Sequence, residues 1–373
     1  MPRIHRIATG VPQHSYDQSE IRDWMLARLG SEDRRSHKLI QLAYDRSGIA
    51  TRHSALPDFQ AAPSANSTAG NALGLRPQDD VPSTGERNER YIAECRELAP
   101  RVAAELFAAD DFQVSEVTHL VTVSCTGFSA PGIDLQLIDA LGLDPSVKRT
   151  HIGFMGCCAA FPALRTASDI CRAHAAEPCL VLVVCIELCT LHLKPGTRPD
   201  QLLSASLFAD GCAAALVSSR APSGDAPVLE LDHFATAVVP DTAGDMAWSI
   251  GDEGFDMVLS SYVPRVLGAS IRELLATNLE LPLDEIRHWA VHPGGRAIVD
   301  HVQDGLDLPD AAMRHSRAVL REFGNMSSAT ILFVLQRLLA ARPEPGSVAA
   351  LAFGPGLTVE VARFSISSSC AAE

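Results

Sequence analysis

Residues 151–171, HIGFMGCCAAFPALRTASDIC, carry the decision about the fold. They read as a strand ending at Met155, a tight turn at Gly156, and a helix drawn from the Ala- and Leu-rich sequence that follows. Outward from this unit the pattern repeats. Before it come HLVTVSC at 119–125 and PGIDLQLIDALGL at 131–143; after it come PCLVLVVCIE at 178–187 and GCAAALVSS at 211–219. Strand-like apolar runs that alternate with helix-length segments predict α/β layers, with mostly parallel strands buried on both faces.

A second series of the same kind follows the polar, Pro- and Gly-rich segment SSRAPSGDAPVLE at 218–230. It holds a helical PRVLGASIRELLATNL, the strand-like HWAVH at 288–292, a helical ATILFVLQRLLAA, and the strands SVAALAFG and LTVEVARFSI. The chain is therefore expected to form two α/β halves, 1–221 and 222–373. Residues 57–85 are rich in Pro, Gly and Ser and lack apolar periodicity, so they are expected to be a surface insertion. The segment NERYIAECRELAPRVAAELFAA after them has helical spacing.

The bulk properties exclude more than they assign. With 373 residues, 47% hydrophobic and 20% charged, the chain can bury two ordinary cores or one large two-lobed one. Its net charge of −14 and lack of a Lys/Arg run argue against nucleic acid as a partner, while leaving room for an anionic ligand at a locally basic entrance. MPRIHRIATGVPQHSYDQ at the start has no apolar signal-peptide core, and no apolar run is long enough to span a membrane, so a cytoplasmic location is expected. The ten cysteines include several inside apolar runs, where reduced, packed thiols are expected. Cys185 with Cys189, and Cys157 with Cys158, lack a second ligand pair, so no metal is expected.

Three residues stand out as chemistry. Cys157 in a first helical turn feels the helix N-terminal dipole and nearby N–H groups, which favour a thiolate; the alternative is a buried structural cysteine. Its neighbour Cys158 points about 100° around the helix and is expected to pack. Among thirteen histidines, His292 in WAVHPGGRAI ends an apolar strand and precedes an open loop, a place for either a reactive or a structural side chain. Asn325 in REFGNMSSAT reads as an N-cap or as an amide donor to a developing oxyanion.

These segments resemble the type III polyketide synthases, the chalcone synthase-like condensing enzymes. The likeness runs from TGVPQHSYDQ through CTGFSAPGIDLQL, GFMGCCAAF, SLFADGCAAALV and HPGGRAI to FGNMSSAT and AFGPGLTVE. It implies a thiolase-like α/β fold of five αβαβα layers with two pseudo-repeated halves. By the same resemblance Cys157 carries the starter acyl group, and His292 maintains its thiolate. His292 and Asn325 together bind the malonyl thioester oxygen. Phe208 matches an aromatic gate whose plain reading is core packing, and Met257 falls at the second gate position, with Phe255 two residues before it.

Cys125, Cys189 and His192 replace threonines that line the plant enzymes' cavity, the last of these if a two-residue deletion between Glu187 and Phe208 is placed correctly. Ser327 keeps a small hydroxyl beside the catalytic set, and Ala130 falls where the partner subunit's methionine enters the cavity in the plant homodimer. Arg46 and Arg52 match a basic region that meets CoA phosphates, or are two solvated charges. Gly295 and Ala297 match backbone near the pantetheine arm, and Arg296 receives no role. The resemblance is nearest to bacterial alkylpyrone and alkylresorcinol synthases. It implies a homodimer using acyl-CoA, preferably long-chain, and malonyl-CoA as substrates, with no permanently bound cofactor. A single-condensation ketoacyl synthase and a non-catalytic thiolase-fold binding protein are the competing readings.

Overall fold

All nine residues of Leu180–Leu188 are buried, and alternate side chains serve different cores. Leu180, Leu182, Val184, Ile186 and Leu188 enter one, while Val181, Val183 and Cys185 enter another. Successive side chains on a strand point to opposite faces, so a strand covered on both sides is apolar throughout.

The computed structural model describes residues 1–29, 33–57, 59, 81–109, 111–174, 177, 179–194, 196, 198–222, 226–260 and 262–367. Nine strands form one sheet in the order His288–Val291, Gly346–Gly354, Thr358–Ser367, Val228–Val238, Arg3–Gly10, Asp210–Ser218, Leu180–Leu188, Val117–Ser124 and Lys148–Gly153. The halves meet where Arg3 pairs with Glu230 and Ile4 with Leu229.

The repeat is visible in the sense of pairing. Going outward from that seam, the first half pairs antiparallel, antiparallel, parallel and parallel. The second half pairs antiparallel, antiparallel and parallel. The sheet is therefore mixed, a correction to the expectation of mostly parallel strands. Burial on both faces removes polar alternation whichever way a neighbouring strand runs, so the apolar run does not encode direction.

Helices complete five layers. Thr84–Ala104 and Ile133–Leu141 cover the outer face of the first half. Ala160–Ala173 and Thr330–Ala340 lie in the shared core between the halves. Val263–Asn278 and Arg296–Leu306 cover the outer face of the second half. The two strands Met246–Gly251 and Gly254–Leu259 form a separate hairpin.

Most of the expected insertion, residues 58 and 60–80, lies outside the described residues. Its end is not insertion: Ser83 caps the Thr84–Ala104 helix in a reciprocal pair with Glu86. Phe59 is buried against Tyr16 and Trp24. Among the described residues no helix is long and apolar enough to cross a membrane.

Candidate active site

The strand before Cys157 ends at Gly153, two residues earlier than the sequence suggests. Phe154 and Gly156 both take left-handed backbone, with φ of 60° and 68°, and this double reversal swings Cys157 into a 3₁₀ turn, Gly156–Cys158, ahead of the helix. A Cβ on Gly156 would come within 2.5 Å of Pro355 Cδ, so glycine is required both by backbone shape and by the packed 353–356 loop. Cys158 is 1% exposed and packs, as expected.

His292 follows the strand His288–Val291; its N–H donates to Leu351 O at 2.8 Å and it is fully buried. Neither ring nitrogen has a hydrogen-bond partner among the described residues. Asn325 approaches from the other side. Its Nδ2 donates to Gly294 O at 3.2 Å and lies 3.8 Å from Cys157 Sγ, while its Oδ1 accepts the Ser327 N–H at 2.9 Å. The N-cap reading is corrected: Met326 precedes the Ser327–Ala329 turn and Ala329 the Thr330–Ala340 helix, so Asn325 lies ahead of both caps. The oxygen accepts from the turn before the Thr330–Ala340 helix, and both the oxygen and the nitrogen of the amide lie 3.8 Å from Cys157 Sγ.

Burial pushes the Cys157 thiol up to about 11, opposed by hydrogen bonds from Ser327 and Asn325. Burial also lowers His292 to about 3. Burial therefore disfavours a lone charge on either group, and opposes the lowering of the thiol that the helix start favours.

These residues line a cavity of about 380 Å³. Phe208, Met257, Cys125, His192, Cys189 and Ser327 line it. Phe208 is held by its flanks, because Asn325 N donates to Leu207 O at 2.9 Å and Ala209 N donates to Asn325 O at 2.8 Å. Cys125 Sγ accepts the Gly156 N–H at 3.1 Å, tying this wall to the Gly156–Cys158 turn. His192 Nε2 lies 2.6 Å from Thr126 O, and its ring stacks on Phe255 with centroids 3.6 Å apart. Phe255 stacks in turn on Trp248 at 4.5 Å, so the hairpin supplies an aromatic wall. Lys194 pairs with Asp256 at 2.6 Å and fastens the hairpin to the His192 segment.

Gly295, Ala297 and the exposed Arg46 also line the cavity. Arg52 does not. It is 0% exposed, and its Nη1 donates to Ala205 O at 2.7 Å and Phe208 O at 2.8 Å. The reading of Arg52 as a phosphate contact is therefore corrected, because a side chain inside the core cannot meet a ligand at the surface. Arg296, given no role from sequence, stands with Arg46 on the cavity lining; its side chain is 58% exposed and lies 3.4 Å from Asp300.

Sequence reasoning missed Glu187 and Trp248. Glu187 is fully buried behind the site, where Cys125 N and Thr126 Oγ1 donate to Oε2 at 2.9 and 2.8 Å and Ser328 Oγ donates to Oε1 at 2.6 Å. Burial raises it to about 7 against those three donors. A single acid in the run CLVLVVCIELC was the available signal, since such a group must be satisfied internally. Trp248 offered no comparable signal. Among the described residues no cluster of metal-ligating side chains occurs.

Comparison with known proteins gives matches over both halves. The family model "Chalcone and stilbene synthases, N-terminal domain" matches residues 3–221, and "Chalcone and stilbene synthases, C-terminal domain" matches residues 230–366. The alpha-pyrone synthesis polyketide synthase-like Pks18 of Mycobacterium tuberculosis is 30% identical over 377 residues, covering 97% of this chain and 91% of that protein. Probable polyketide synthase 1 of Dictyostelium discoideum is 26% identical over 95% of this chain, which spans 11% of that much longer protein. The solved 1,3,6,8-tetrahydroxynaphthalene synthase of Streptomyces coelicolor A3(2) has a TM-score of 0.83 at 27% identity, covering 97% of this chain and 99% of its own. PKS-I of the brown alga Ectocarpus siliculosus has a TM-score of 0.84 at 28% identity, covering 98% of each chain. A chain matched by the family's models through both halves, and aligned to a mycobacterial relative along nearly all of that relative's length, belongs to the chalcone and stilbene synthases and is a type III polyketide synthase, an acyl-transferring condensing enzyme.

Proposed function

We propose that the enzyme loads an apolar, long-chain acyl group from acyl-CoA onto Cys157, extends it with malonyl-CoA, and closes the product to an alkylpyrone, with an alkylresorcinol as the alternative ring. The observation that carries this reading is that Cys157, His292 and Asn325, brought from both halves of the chain, line one mainly apolar cavity. The thiol attacks the acyl-CoA carbonyl, forming the enzyme thioester and releasing CoA, while His292 takes the thiol proton. Malonyl-CoA then loses CO2, and the resulting enolate oxygen is met by the Asn325 amide and the imidazole N–H. Such donors stabilise charge that exists only beyond the ground state, so they lower the barrier. The enolate carbon attacks the thioester, a carbon–carbon bond forms, and the Cys157 sulphur leaves ready for reloading.

At the mouth, Arg46 and Arg296 replace the expected Arg46 and Arg52 pair as contacts for the CoA phosphates, with Gly295 and Ala297 beside the pantetheine arm. The pyrone is favoured because the mycobacterial relative is named for alpha-pyrone synthesis. A homodimer fits the exposed Phe128, Phe154 and Met155, apolar side chains within three positions of Cys125 or Cys157 that a second copy would cover.

Mass spectrometry tests the proposal directly. A long acyl-CoA should add one acyl mass to the Cys157 peptide, and malonyl-CoA should convert it to a multiply extended lactone. Loading that persists in Cys157→Ala, or a product extended once only, would refute it.

A further inference from the structure

We propose that Arg52 is the positioning residue for the decarboxylation step, clamping the 205–208 segment against which Asn325 is registered. The inference rests on the reading of Asn325 as the donor to the malonyl thioester oxygen. Arg52 sits on the short strand Thr51–Ser54 and is fully buried; no carboxylate lies within ion-pair distance among the described residues, though the buried Asp210 favours its charge from farther off. Its Nη1 bridges the carbonyls of Ala205 and Phe208, and its Nε and Nη2 have no partner among the described residues. The guanidinium lies 5.4 Å from the Tyr44 ring centroid, and Tyr44 Oη donates to the same Ala205 carbonyl at 3.0 Å.

The clamped segment leads straight to the site. Leu207 O and Ala209 N, on either side of Phe208, hold both backbone groups of Asn325. The aliphatic stem closes the other side: a Cβ on Gly324, whose φ is 73°, would come within 3.0 Å of Arg52 Cγ. One side chain thus touches both strands of the bridge that sets the Asn325 amide 3.8 Å from Cys157 Sγ.

Energetics argue against a role in stability alone. A buried guanidinium with unpaired donors carries a desolvation cost of several kcal/mol, and a well-packed apolar side chain of similar volume is often as stable or more so. Capping of the Pro199–Leu207 helix by the cation is the competing explanation, since last-turn carbonyls favour a positive charge. A cap would change folding without changing the chemistry of folded molecules.

The test compares Arg52→Met, Arg52→Lys and Asn325→Ala in the full chain. Acyl loading of Cys157 and decarboxylation of malonyl-CoA are measured separately, per folded protein by circular dichroism. A misplacement of about 1 Å can cost about 100-fold, so Arg52→Met should decarboxylate about 100-fold more slowly, with loading and malonyl-CoA KM within about threefold of the unaltered chain. Arg52→Lys, whose ammonium can still bridge two carbonyls, should recover decarboxylation to about fivefold below that level. The inference is overturned if loading and decarboxylation fall together in Arg52→Met, or if neither falls. If Arg52→Met does not fold, Arg52→Lys decides, and an unchanged ratio of decarboxylation to loading overturns the idea. Asn325→Ala separates the two readings. Normal decarboxylation there removes the Asn325 role itself, whereas its loss there with full activity in Arg52→Met removes the Arg52 role alone.

Discussion

Replacing His292 with alanine isolates the term that makes Cys157 reactive. Burial holds the lone thiol at about 11, so without a nearby proton acceptor the thiolate fraction at pH 7 is about 10⁻⁴. Alkylation follows the thiolate, not the thiol. Proton transfer from Sγ to the imidazole makes both charges at once, and each offsets much of the other's cost in a site where neither is stable alone. The unaltered enzyme should therefore react with iodoacetamide at neutral pH, with a shallow pH profile. His292→Ala should react about 10³-fold more slowly at pH 7, accelerating about tenfold per pH unit up to pH 10. The assay is loss of loading activity against time, with peptide mass spectrometry to confirm that Cys157, among ten cysteines, is the residue modified. A folded variant that reacts within about tenfold of the unaltered enzyme at pH 7 would refute the reasoning, because the helix N-terminus and the Asn325 amide would then suffice.

Two further outcomes follow from the site's surroundings. Glu187 is raised to about 7 in the fold, so the folded state holds a proton that the unfolded chain releases above about 4.5, and its contribution to stability declines as pH rises from about 4.5 through 7. Glu187→Gln should therefore gain on the unaltered chain by about 1 kcal/mol per pH unit in that window, measured by urea unfolding; parallel stability curves would contradict this. Arg46→Ala and Arg296→Ala should each raise KM for acyl-CoA by about two- to fivefold, the range of an exposed ion pair, and the difference should shrink in high salt; unchanged KM in both would move the phosphate contact elsewhere.

Much of the site was legible one residue at a time. The Gly156–Cys157 turn, the strand-end His292 and the Gly324–Asn325 turn each carry local signals, because turns and helix starts restrict which residues fit. Arg52 shows the limit. In YDRSGIATRH it differs from Arg46 by nothing that composition or spacing can show, yet one is exposed at the mouth and the other is wholly buried. The partners that make burial tolerable, Ala205 and Phe208, lie more than 150 positions away.

The alternating elements, the doubling into two halves, the family and the candidate nucleophile were all readable from periodicity or from short segments taken in order. The mixed sense of the sheet, the burial of Arg52 and Glu187, the His192–Phe255–Trp248 wall and the protonation cost at Cys157 emerge only once the chain is packed. Those depend on which distant atoms exclude water from a given group. Desolvation is a property of the packed surroundings, and no residue carries it in its own name.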